Sequence, residues 1–582
     1  MSERKRIPYL HTNFEKIRTE GYLYVDKTRF IEQLENEETG FHFLIRPRKF
    51  GKTLFLSVLE HYYDIRFAND FQKLFGDLYI GQKPTERKNS YFVLKFNFSA
   101  LDSSDVESFK ISFKEAIRDS IVDFIANHKF LIENYKELEQ KVDTFNNVRS
   151  YINFAFKIIN DYGKKAYVII DEYDHFANDI IAKGKYSPPL EGQGSSTKDQ
   201  YEESIWANSL TRDFYETLKI GTETVIDRIF VTGITPIMLD DLTSGFNISN
   251  NISLEPAYNE ILGLTREEVD WVMEQIQLDK SLIGIDIEQM YNGYLFNKHA
   301  TTKVFNSTMI FNYFHGLFKY GKNFENLVDK NLKTDYGRIR NLINQHDNKE
   351  KLRELVENYS VQTEIIDQFS IIKVHEDKNF FSLLFYMGLV TIDNSNPLNI
   401  GLKIPNYSVK TMFWEFIESI LTEEIDGLSL DDSKYKNSIY KLAYENDYNS
   451  FFEYFSNYIV KYLSNRDLQD TVEKDMKFLL LPIFFTSKYY LPVSELENSE
   501  GYTDIYLKRG HNHPKSLTEW IFELKYVKQA EADDKKIIET KQNKAKEQLL
   551  RYKTSNLFKD RTDVRYLSVV FVGKKEYVIE EV

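Results

Sequence analysis

The sequence predicts an α/β protein, and the arrangement of its apolar segments supports this in three ways. From residue 1 to about 260, short runs rich in β-branched and aromatic residues alternate with helix-like segments. Such nearly continuous runs are typical of strands buried on both faces of a parallel sheet. Residues 261–410 follow mainly helical patterns, and mixed strands and helices return near the end. We therefore expect an α/β domain at 1–260, a helical and winged-helix-like lid region at 261–410, and a helical linker with a second α/β domain at 411–582.

Four strands are predicted in the first part, at 41–46, 91–99, 165–174 and 227–237. A helix at 53–65 follows the first strand directly, and the stretch 104–141 reads as helical. Residues 183–200, KGKYSPPLEGQGSSTKDQ, contain two prolines and three glycines without periodicity. We expect a long surface loop there.

The middle part contains one strong helix signal and one compact motif. Residues 263–276 form an amphipathic pattern in which Thr265 and Glu268 have capping-box spacing. The segment 382–417 reads as helix, hairpin, helix, which suits a small winged-helix-like subdomain, and 411–465 reads as helical.

Composition excludes several classes of function. The chain has 582 residues, 42% hydrophobic and 15% aromatic, which is ample for real cores. It has no cysteine, so disulfides, thiolate metal sites and cysteine nucleophiles are excluded, and a reducing cytoplasm is expected. We recognise neither a signal peptide nor a membrane span. The net charge of −14 indicates that any contact with nucleic acid is local.

The tripeptide Gly51-Lys52-Thr53 stands where the first strand passes into a helix, which is the position of a phosphate-binding P-loop. There, free amides at the helix start face an anion, Lys52 reaches the β/γ-phosphates, and the Thr53 hydroxyl takes Mg²⁺. The usual first glycine of this loop is Arg46 here. We expect the loop to work without that glycine, and we expect Arg46 and Arg48 to add positive charge beside the phosphates.

Acidic residues follow another buried strand, in the order that a nucleotide hydrolase requires. YVIIDE ends in Asp171, the expected Mg²⁺ partner, and Glu172, placed to orient or deprotonate the attacking water. The alternative, which assigns these residues no functional role, is a strand that ends in two solvated carboxylates. The next strand carries Thr232 and Thr235, either of which is a candidate γ-phosphate sensor or a simple turn cap.

Five motifs resemble the bacterial AAA-ATPase-like family. They are PYLHTNFEKIRTEGYLYVDKTRFIEQL (8–34), RPRKFGKT (46–53), VIIDEYD (168–174), VTGITPI (231–237) and YNGYLF (291–296), with further similarity at 385–392 and 402–409. In that family the loop is typically R-P-R-[RK]-F-G-K-[ST], so the resemblance accounts for Arg46. It implies an AAA-like P-loop domain that binds ATP and Mg²⁺.

The resemblance also implies a C-terminal domain of the PD-(D/E)XK nuclease superfamily, with a restriction-endonuclease-like fold. Asp504 and the run Glu523-Leu524-Lys525 fit it, on two strands of a predicted hairpin. Asp504, Glu523 and the Leu524 carbonyl are expected to hold Mg²⁺ or Mn²⁺, and Lys525 to orient water or stabilise charge. Glu473 is a candidate extra acid, with Glu497 and Glu500 as alternatives.

A late helix at 541–553 resembles the superfamily helix whose Gln and Tyr face the site, here Gln548 and Tyr552. Between 525 and 553 there are nine Lys/Arg and five Asp/Glu, an excess of +4 that suits a phosphate backbone, although a solvated helix face is the plainer interpretation. His511 and His513 are better explained as loop residues than as metal ligands.

Two functions are therefore predicted. The first is an ATP-dependent or ATP-gated, metal-dependent nuclease that cleaves DNA or RNA in a bacterial cell, loosely placed by resemblance among mobile-element or defence systems. The alternative is a regulatory nucleotide switch whose C-terminal domain binds nucleic acid without cutting. Both are compatible with a homo-oligomer in which a neighbour supplies an arginine, but the sequence assigns no such residue.

Overall fold

The computed structural model describes residues 4–175, 178, 210–237, 248–321, 324, 327–328, 348–369, 373, 376–395, 401–424, 433–464, 473–487, 489–510, 517–573 and 576–582. The predicted loop at 183–200 and the histidines His511 and His513 lie outside these residues. The chain divides into two compact units, Met1–Ser408 and Val409–Val582. The division into three domains stays a prediction.

A five-stranded parallel sheet forms the centre of the first unit. Its strands are β1 Phe41–Ile45, β2 Phe92–Asn97, β3 Ala166–Asp171, β4 Ile226–Gly233 and β5 Asn250–Asn251, in the order β2-β3-β4-β1-β5. Every neighbouring pair is parallel, so all carboxyl ends meet at one edge. Every residue of β3 is buried, as its apolar run predicts. The four strands expected in this part are confirmed.

Helices surround this sheet in the α/β manner. Their bounds are Phe14–Thr19, Arg29–Glu35, Lys52–Tyr63, Phe71–Phe75, Tyr79–Gln82, Val106–Asn127, Tyr135–Val142 and Val148–Asp161, and residues 210–222 are also helical. The stretch 104–141 contains two helices, because the chain turns between Asn127 and Tyr135.

The remainder of the first unit is mainly helical, as predicted. It contains the helices Arg266–Gln275, Ile287–Tyr291, Ser307–Tyr320, Asn348–Asn358 and Asp377–Tyr386. The capping box is present, since Thr265 and Glu268 each accept a hydrogen bond from the other's backbone N–H. An apolar cluster that includes Val269, Tyr291 and Tyr313 joins three of these helices.

The predicted order of helix, hairpin and helix is also present. After Asp377–Tyr386 come β7 Thr391–Asp393 and β8 Gly401–Lys403, which pair antiparallel, and then the helix Tyr407–Glu424. An earlier strand, β6 Ser360–Gln362, pairs with β8 and completes a three-stranded sheet.

The second unit is built on a mixed five-stranded sheet. Its strands are β9 Tyr490–Asn498, β10 Gly501–Arg509, β11 Glu519–Val527, β12 Val564–Val572 and β13 Glu576–Glu581, in the order β13-β12-β11-β10-β9. Only β11 and β12 pair in parallel, and the helix Lys535–Thr554 connects them. The other helices are Ser433–Tyr440, Tyr448–Ser464 and Glu473–Thr486.

In the part of the chain that the structure describes, no helix combines the length and the apolar composition needed to cross a bilayer.

Candidate active sites

The backbone between β1 and the following helix forms a tight loop at the carboxyl edge of the parallel sheet. Gly51 has φ 103° and Lys49 has φ 67°, both in the left-handed region, and the helix Lys52–Tyr63 begins directly afterwards. No side chain within the described part of the chain caps that helix, so its first amides are available to an anion. Arg46 is not among the residues with positive φ, so the loop does not require glycine at that position.

The two residues after Gly51 connect the loop to β3. The hydroxyl of Thr53 donates to Asp171 Oδ2 at 3.0 Å, although the two residues are far apart in sequence. Lys52 Nζ donates to the carbonyls of Arg46 and Pro47, at 2.8 and 3.0 Å. Burial lowers the pKa of Lys52 to about 8, and the charges of Asp171 and neighbouring acids oppose this shift. Burial raises the pKa of Asp171, and the charge of Lys52 opposes that increase.

Arg46 does not project its charge towards this loop. Its side chain is 1% exposed, and its guanidinium donates to Ile45 O, Ser253 O and Tyr258 O at 2.9, 2.7 and 2.8 Å. It also lies 4.1 Å from the ring centre of Phe296. These contacts fix the base of the loop, so the expectation that Arg46 adds charge beside the phosphates does not match its position. The charge of Arg48, in contrast, acts on Lys52 and on Glu172.

Residues far along the chain support the same loop from outside the sheet. The Phe50 ring makes edge contacts with Tyr294 and Phe296, at 5.0 and 5.4 Å between centroids. The Lys49 carbonyl accepts hydrogen bonds from the hydroxyls of Ser307 and Thr308, at 3.2 and 2.9 Å. The motif YNGYLF at 291–296 therefore packs directly against the loop motif.

Glu172 directly follows β3, at the same edge as the loop. Its φ of 52° is rare for a residue other than glycine, and its Oε2 lies 3.5 Å from His175 Nδ1. The contact with His175, followed by the charges of Lys52 and Arg48, holds the pKa of Glu172 below its ordinary value despite burial. The structure thus keeps Glu172 ionised near the loop.

The two threonines of β4 and its following turn have partners inside the protein. Thr232 donates its hydroxyl to Leu44 O at 2.7 Å, which ties β4 to β1. Thr235 donates its hydroxyl to Asp174 Oδ2 at 2.8 Å, and Asp174 also accepts from the amides of Thr235 and Ile234. A sensing role for either threonine stays a prediction.

Asp174 is a residue that the sequence interpretation missed. It is fully buried and joins the segment after β3 to the turn after β4. Its sequence signals are the last position of the VIIDEYD motif and a spacing of three residues from Asp171, and neither was assigned a role in the sequence analysis. Its contacts position Glu172 relative to β4.

In the second unit, Asp504, Glu523 and Lys525 converge as predicted; we refer to these three residues as the carboxylate–lysine cluster. Lys525 Nζ lies 2.8 Å from Glu523 Oε1 and 3.9 Å from Asp504 Oδ2. It also donates to the Leu524 carbonyl at 2.8 Å, while the Leu524 amide donates to Asp504 Oδ2 at 2.8 Å. Period-2 alternation on β11 places Glu523 and Lys525 on one face.

Glu523 and Lys525 are buried and Asp504 is partly exposed, and burial shifts the pKa of each. Burial raises the pKa of Asp504 and of Glu523, with the charge of Asp504 adding to the shift at Glu523 and Lys525 opposing both shifts. Burial by itself lowers the pKa of Lys525, but Glu523 and Asp504 outweigh it, so the pKa of Lys525 is raised. Two nearby carboxyls with raised pKa values are common at metal sites, because a bound cation replaces their protons.

Glu473 is the extra acid that the geometry selects. Its Oε1 lies 3.3 Å from Lys525 Nζ, whereas Glu497 and Glu500 are exposed. Tyr552 donates to Glu523 Oε2 at 3.3 Å and to Tyr502 O at 2.6 Å, so the late helix does face the cluster.

Two further residues of that helix have different surroundings. Among the described residues, no group forms a hydrogen bond with the buried Oε1 of Gln548. Some of the basic residues between 525 and 553, here called the basic strip, have partners within the fold. Lys546 pairs with Glu580, and Lys553 donates to Val582 O.

The donors at the cluster suit a hard cation. Among the described residues, no group of three or more His, Cys, Asp or Glu side chains is arranged as a complete metal cage. Mg²⁺, however, is commonly held by one or two carboxylates, with waters and substrate phosphates completing its shell. Asp504, Glu523 and the Leu524 carbonyl meet that requirement.

Comparison with known proteins identifies two domains in this chain. Residues 8–243 match the model of the AAA-ATPase-like family, which is described as a predicted AAA-ATPase. Residues 472–581 match the model of the PD-(D/E)XK nuclease superfamily. The chain joins an AAA-ATPase-like domain to a PD-(D/E)XK nuclease superfamily domain. The loop at Gly51 lies in the AAA-ATPase-like domain, and the carboxylate–lysine cluster lies in the nuclease superfamily domain.

Two individual proteins show weaker similarity. An uncharacterized protein in the vnfD 5′ region of Azotobacter chroococcum mcd 1 is 25% identical over 314 residues, which are 53% of this chain and 52% of that protein. The chain thus matches about half the length of this curated relative. A Walker-type ATPase of Pyrococcus abyssi overlaps 71% of this chain and 99% of its own, at 12% identity and a TM-score of 0.36, too low to establish a common fold.

Proposed function

We propose that the AAA-ATPase-like domain binds and hydrolyses ATP with Mg²⁺. The observation that supports this most directly is the 3.0 Å hydrogen bond between Thr53 and Asp171 beside an uncapped helix start. It brings the two expected Mg²⁺ partners together, Thr53 from the first turn of the helix Lys52–Tyr63 and Asp171 from the end of β3. Lys52 would hold the β/γ-phosphates by exchanging its bonds to the loop carbonyls for bonds to phosphate oxygens. Glu172, kept ionised, would orient or deprotonate the attacking water.

Two variants test this proposal. Lys52→Ala removes the phosphate contact, so ATP binding or turnover should fall by orders of magnitude. Glu172→Gln keeps the shape and removes the basic oxygen, so ATP should still bind while hydrolysis stops. Calorimetry and phosphate release measure the two steps separately. Parent-like hydrolysis by both variants would show that the site lies elsewhere.

We propose that the nuclease superfamily domain cleaves DNA or RNA phosphodiesters with Mg²⁺ or Mn²⁺. The supporting observation is that Lys525 Nζ lies 2.8 Å from the buried Glu523 carboxylate and 3.9 Å from the partly exposed Asp504 carboxylate. Asp504, Glu523 and the Leu524 carbonyl would hold the cation, which supplies Lewis-acid activation and lowers the pKa of bound water.

The chain's own groups have distinct tasks in that reaction. Glu523 and Asp504 must lose their protons before the cation binds, and Lys525 favours that loss. Lys525 would also orient the attacking water or balance the charge that develops on the phosphate. Tyr552 fixes Glu523 through its hydroxyl.

We further propose that cleavage depends on ATP or is gated by it, in a bacterial cytoplasm. The supporting observation is that one chain carries both a loop site and a carboxylate–lysine cluster. We also propose that the protein belongs to a mobile-element or defence system and that it assembles as a homo-oligomer.

The alternative is a regulatory nucleotide switch whose nuclease superfamily domain binds nucleic acid without cutting. One observation favours it: Lys546 and Lys553, part of the expected basic strip, are bound to the C-terminal strand instead of being available to phosphates. A cleavage assay on plasmid and on RNA, with Mg²⁺ or Mn²⁺ and with or without ATP, separates the two. Binding without cutting under every condition would support the switch.

A further inference from the structure

A second ammonium group lies beside the carboxylate–lysine cluster. Lys477 is on the helix Glu473–Thr486, four residues after Glu473 and hence on the same helix face. Glu473 itself lies 3.3 Å from Lys525. The Lys477 side chain is 14% exposed.

The three N–H groups of Lys525 already have partners in this structure. An ammonium has three donors, and here Nζ lies 2.8 Å from Leu524 O, 2.8 Å from Glu523 Oε1 and 3.3 Å from Glu473 Oε1. A phosphodiester entering the site therefore needs another cation if Lys525 keeps these bonds.

Lys477 is bound differently. Within the described residues its ion-pair partner is Glu495, whose side chain is 50% exposed. Ion pairs with an exposed member are weak because water competes for the charge. A phosphate oxygen can therefore replace Glu495 as the partner of Lys477 at little cost.

The position of Glu495 places this pair at the site. Glu495 belongs to β9 and lies between Leu496, which is paired with Thr503, and Ser494, which is paired with Ile505. It is therefore opposite Asp504 across the two strands. Its φ of 54° is unusual for a side-chain-bearing residue inside a strand, and such conformations concentrate at functional sites.

We propose that Lys477 is a second phosphate-contacting cation of the nuclease superfamily domain, held ready by Glu495 and transferred to a non-bridging oxygen of the substrate phosphodiester. This inference rests on the proposed nuclease function. The competing explanation is a purely structural ion pair that attaches the helix to β9.

The test uses the full chain with Lys477→Ala, Lys477→Arg and Glu495→Gln, and with Lys474→Ala as the matched control on the same helix. Lys474 is exposed and lies on the same helix, so its loss reports general helix charge alone. Cleavage of labelled DNA and RNA oligonucleotides with Mn²⁺ gives KM and kcat, and calorimetry gives Mn²⁺ affinity.

We expect Lys477→Ala to raise KM about tenfold while Mn²⁺ affinity changes by less than about twofold, because Lys477 contacts phosphate and not the cation. Lys477→Arg should restore most of the affinity. Glu495→Gln should lower KM, since it releases Lys477, and Lys474→Ala should resemble the parent. A parent-like KM for Lys477→Ala would overturn the proposal, as would equal losses for Lys477→Ala and Glu495→Gln.

The same variants keep the two proposals distinguishable. If the parent binds oligonucleotides without cutting them, the nuclease proposal fails, and fluorescence anisotropy replaces cleavage. Lys477→Ala should then weaken binding and reduce the salt slope by about one phosphate contact, whereas Lys474→Ala should not. Unchanged binding by Lys477→Ala, or a parent that neither binds nor cuts, would overturn the role of Lys477.

Discussion

Arg46→Gly gives this loop the usual glycine, and the structure predicts that the protein is harmed by it. Arg46 is 1% exposed and donates to three backbone carbonyls, at 2.9, 2.7 and 2.8 Å. A hydrogen bond from a charged donor contributes about 1.5–3 kcal/mol, so three of them contribute about 4.5–9 kcal/mol before any cost is subtracted.

The cost is that of burying the charge itself. Burial lowers the pKa of Arg46 to about 9, which shows that the cation is less favourable here than in water. Removing it leaves the carbonyls of Ser253 and Tyr258 without this donor and deletes the contact with the Phe296 ring. We therefore expect Arg46→Gly to lower the free energy of unfolding by about 3–5 kcal/mol, the range for breaking a buried charged contact.

Urea denaturation followed by circular dichroism measures this loss, and calorimetry measures ATP affinity in the same samples. Arg48→Ala is the matched control, because the charge of Arg48 acts on Lys52 and Glu172 while its side chain is half-buried. It should weaken ATP binding with little loss of stability. If Arg46→Gly unfolded at the parent's midpoint and changed only ATP affinity, Arg46 would be a phosphate-site residue and the structural reasoning would be wrong. Tighter ATP binding by Arg46→Gly would show that the natural arginine impairs the site.

The remaining predictions concern the titratable groups. ATP affinity should fall as the pH rises through about 8, because the pKa of Lys52 in the nucleotide-free protein is lowered to that value and the neutral amine is not attracted to phosphate. Calorimetry in matched buffers measures this dependence, and Lys52→Arg should remove it. Asp504→Ala and Glu523→Ala should each abolish cleavage and weaken Mn²⁺ binding, since each deletes a ligand of a hard cation. Lys525→Ala should abolish cleavage but retain or slightly strengthen Mn²⁺ binding at a pH high enough to ionise both carboxyls, because a positive charge beside the cation is removed. Parent Mn²⁺ affinity should keep rising above about pH 5, because the raised pKa values of Asp504 and Glu523 extend proton competition upward from the ordinary carboxyl range; a flat profile would contradict the metal site.

The stability of the metal-free protein depends on pH in the opposite direction to its Mn²⁺ affinity. A carboxyl whose pKa is raised in the folded protein binds more protons folded than unfolded, so stability is lost as the pH rises from the unfolded pKa to the folded one. Added Mn²⁺ should restore stability at the upper end of that range, because it binds the ionised folded site.

The sequence by itself determined the features that depend on neighbouring residues. The buried run of β3, the capping box at Thr265 and the alternation that places Glu523 beside Lys525 all follow from local periodicity or spacing. The Gly51 turn belongs here too, because its left-handed φ is a local requirement. These interactions span only a few residues, so the order of the side chains is enough to predict them.

Only the tertiary structure decided which distant groups meet. It placed β4 between β1 and β3, and it brought Glu473 rather than Glu497 or Glu500 to Lys525. It also directed Arg46 to the carbonyls of Ser253 and Tyr258, more than two hundred residues away, where a phosphate contact was expected from the loop pattern. A long side chain can reach in several directions, and its choice depends on which distant backbone groups lack a partner; that information lies in the packing of the whole unit, not in the local sequence.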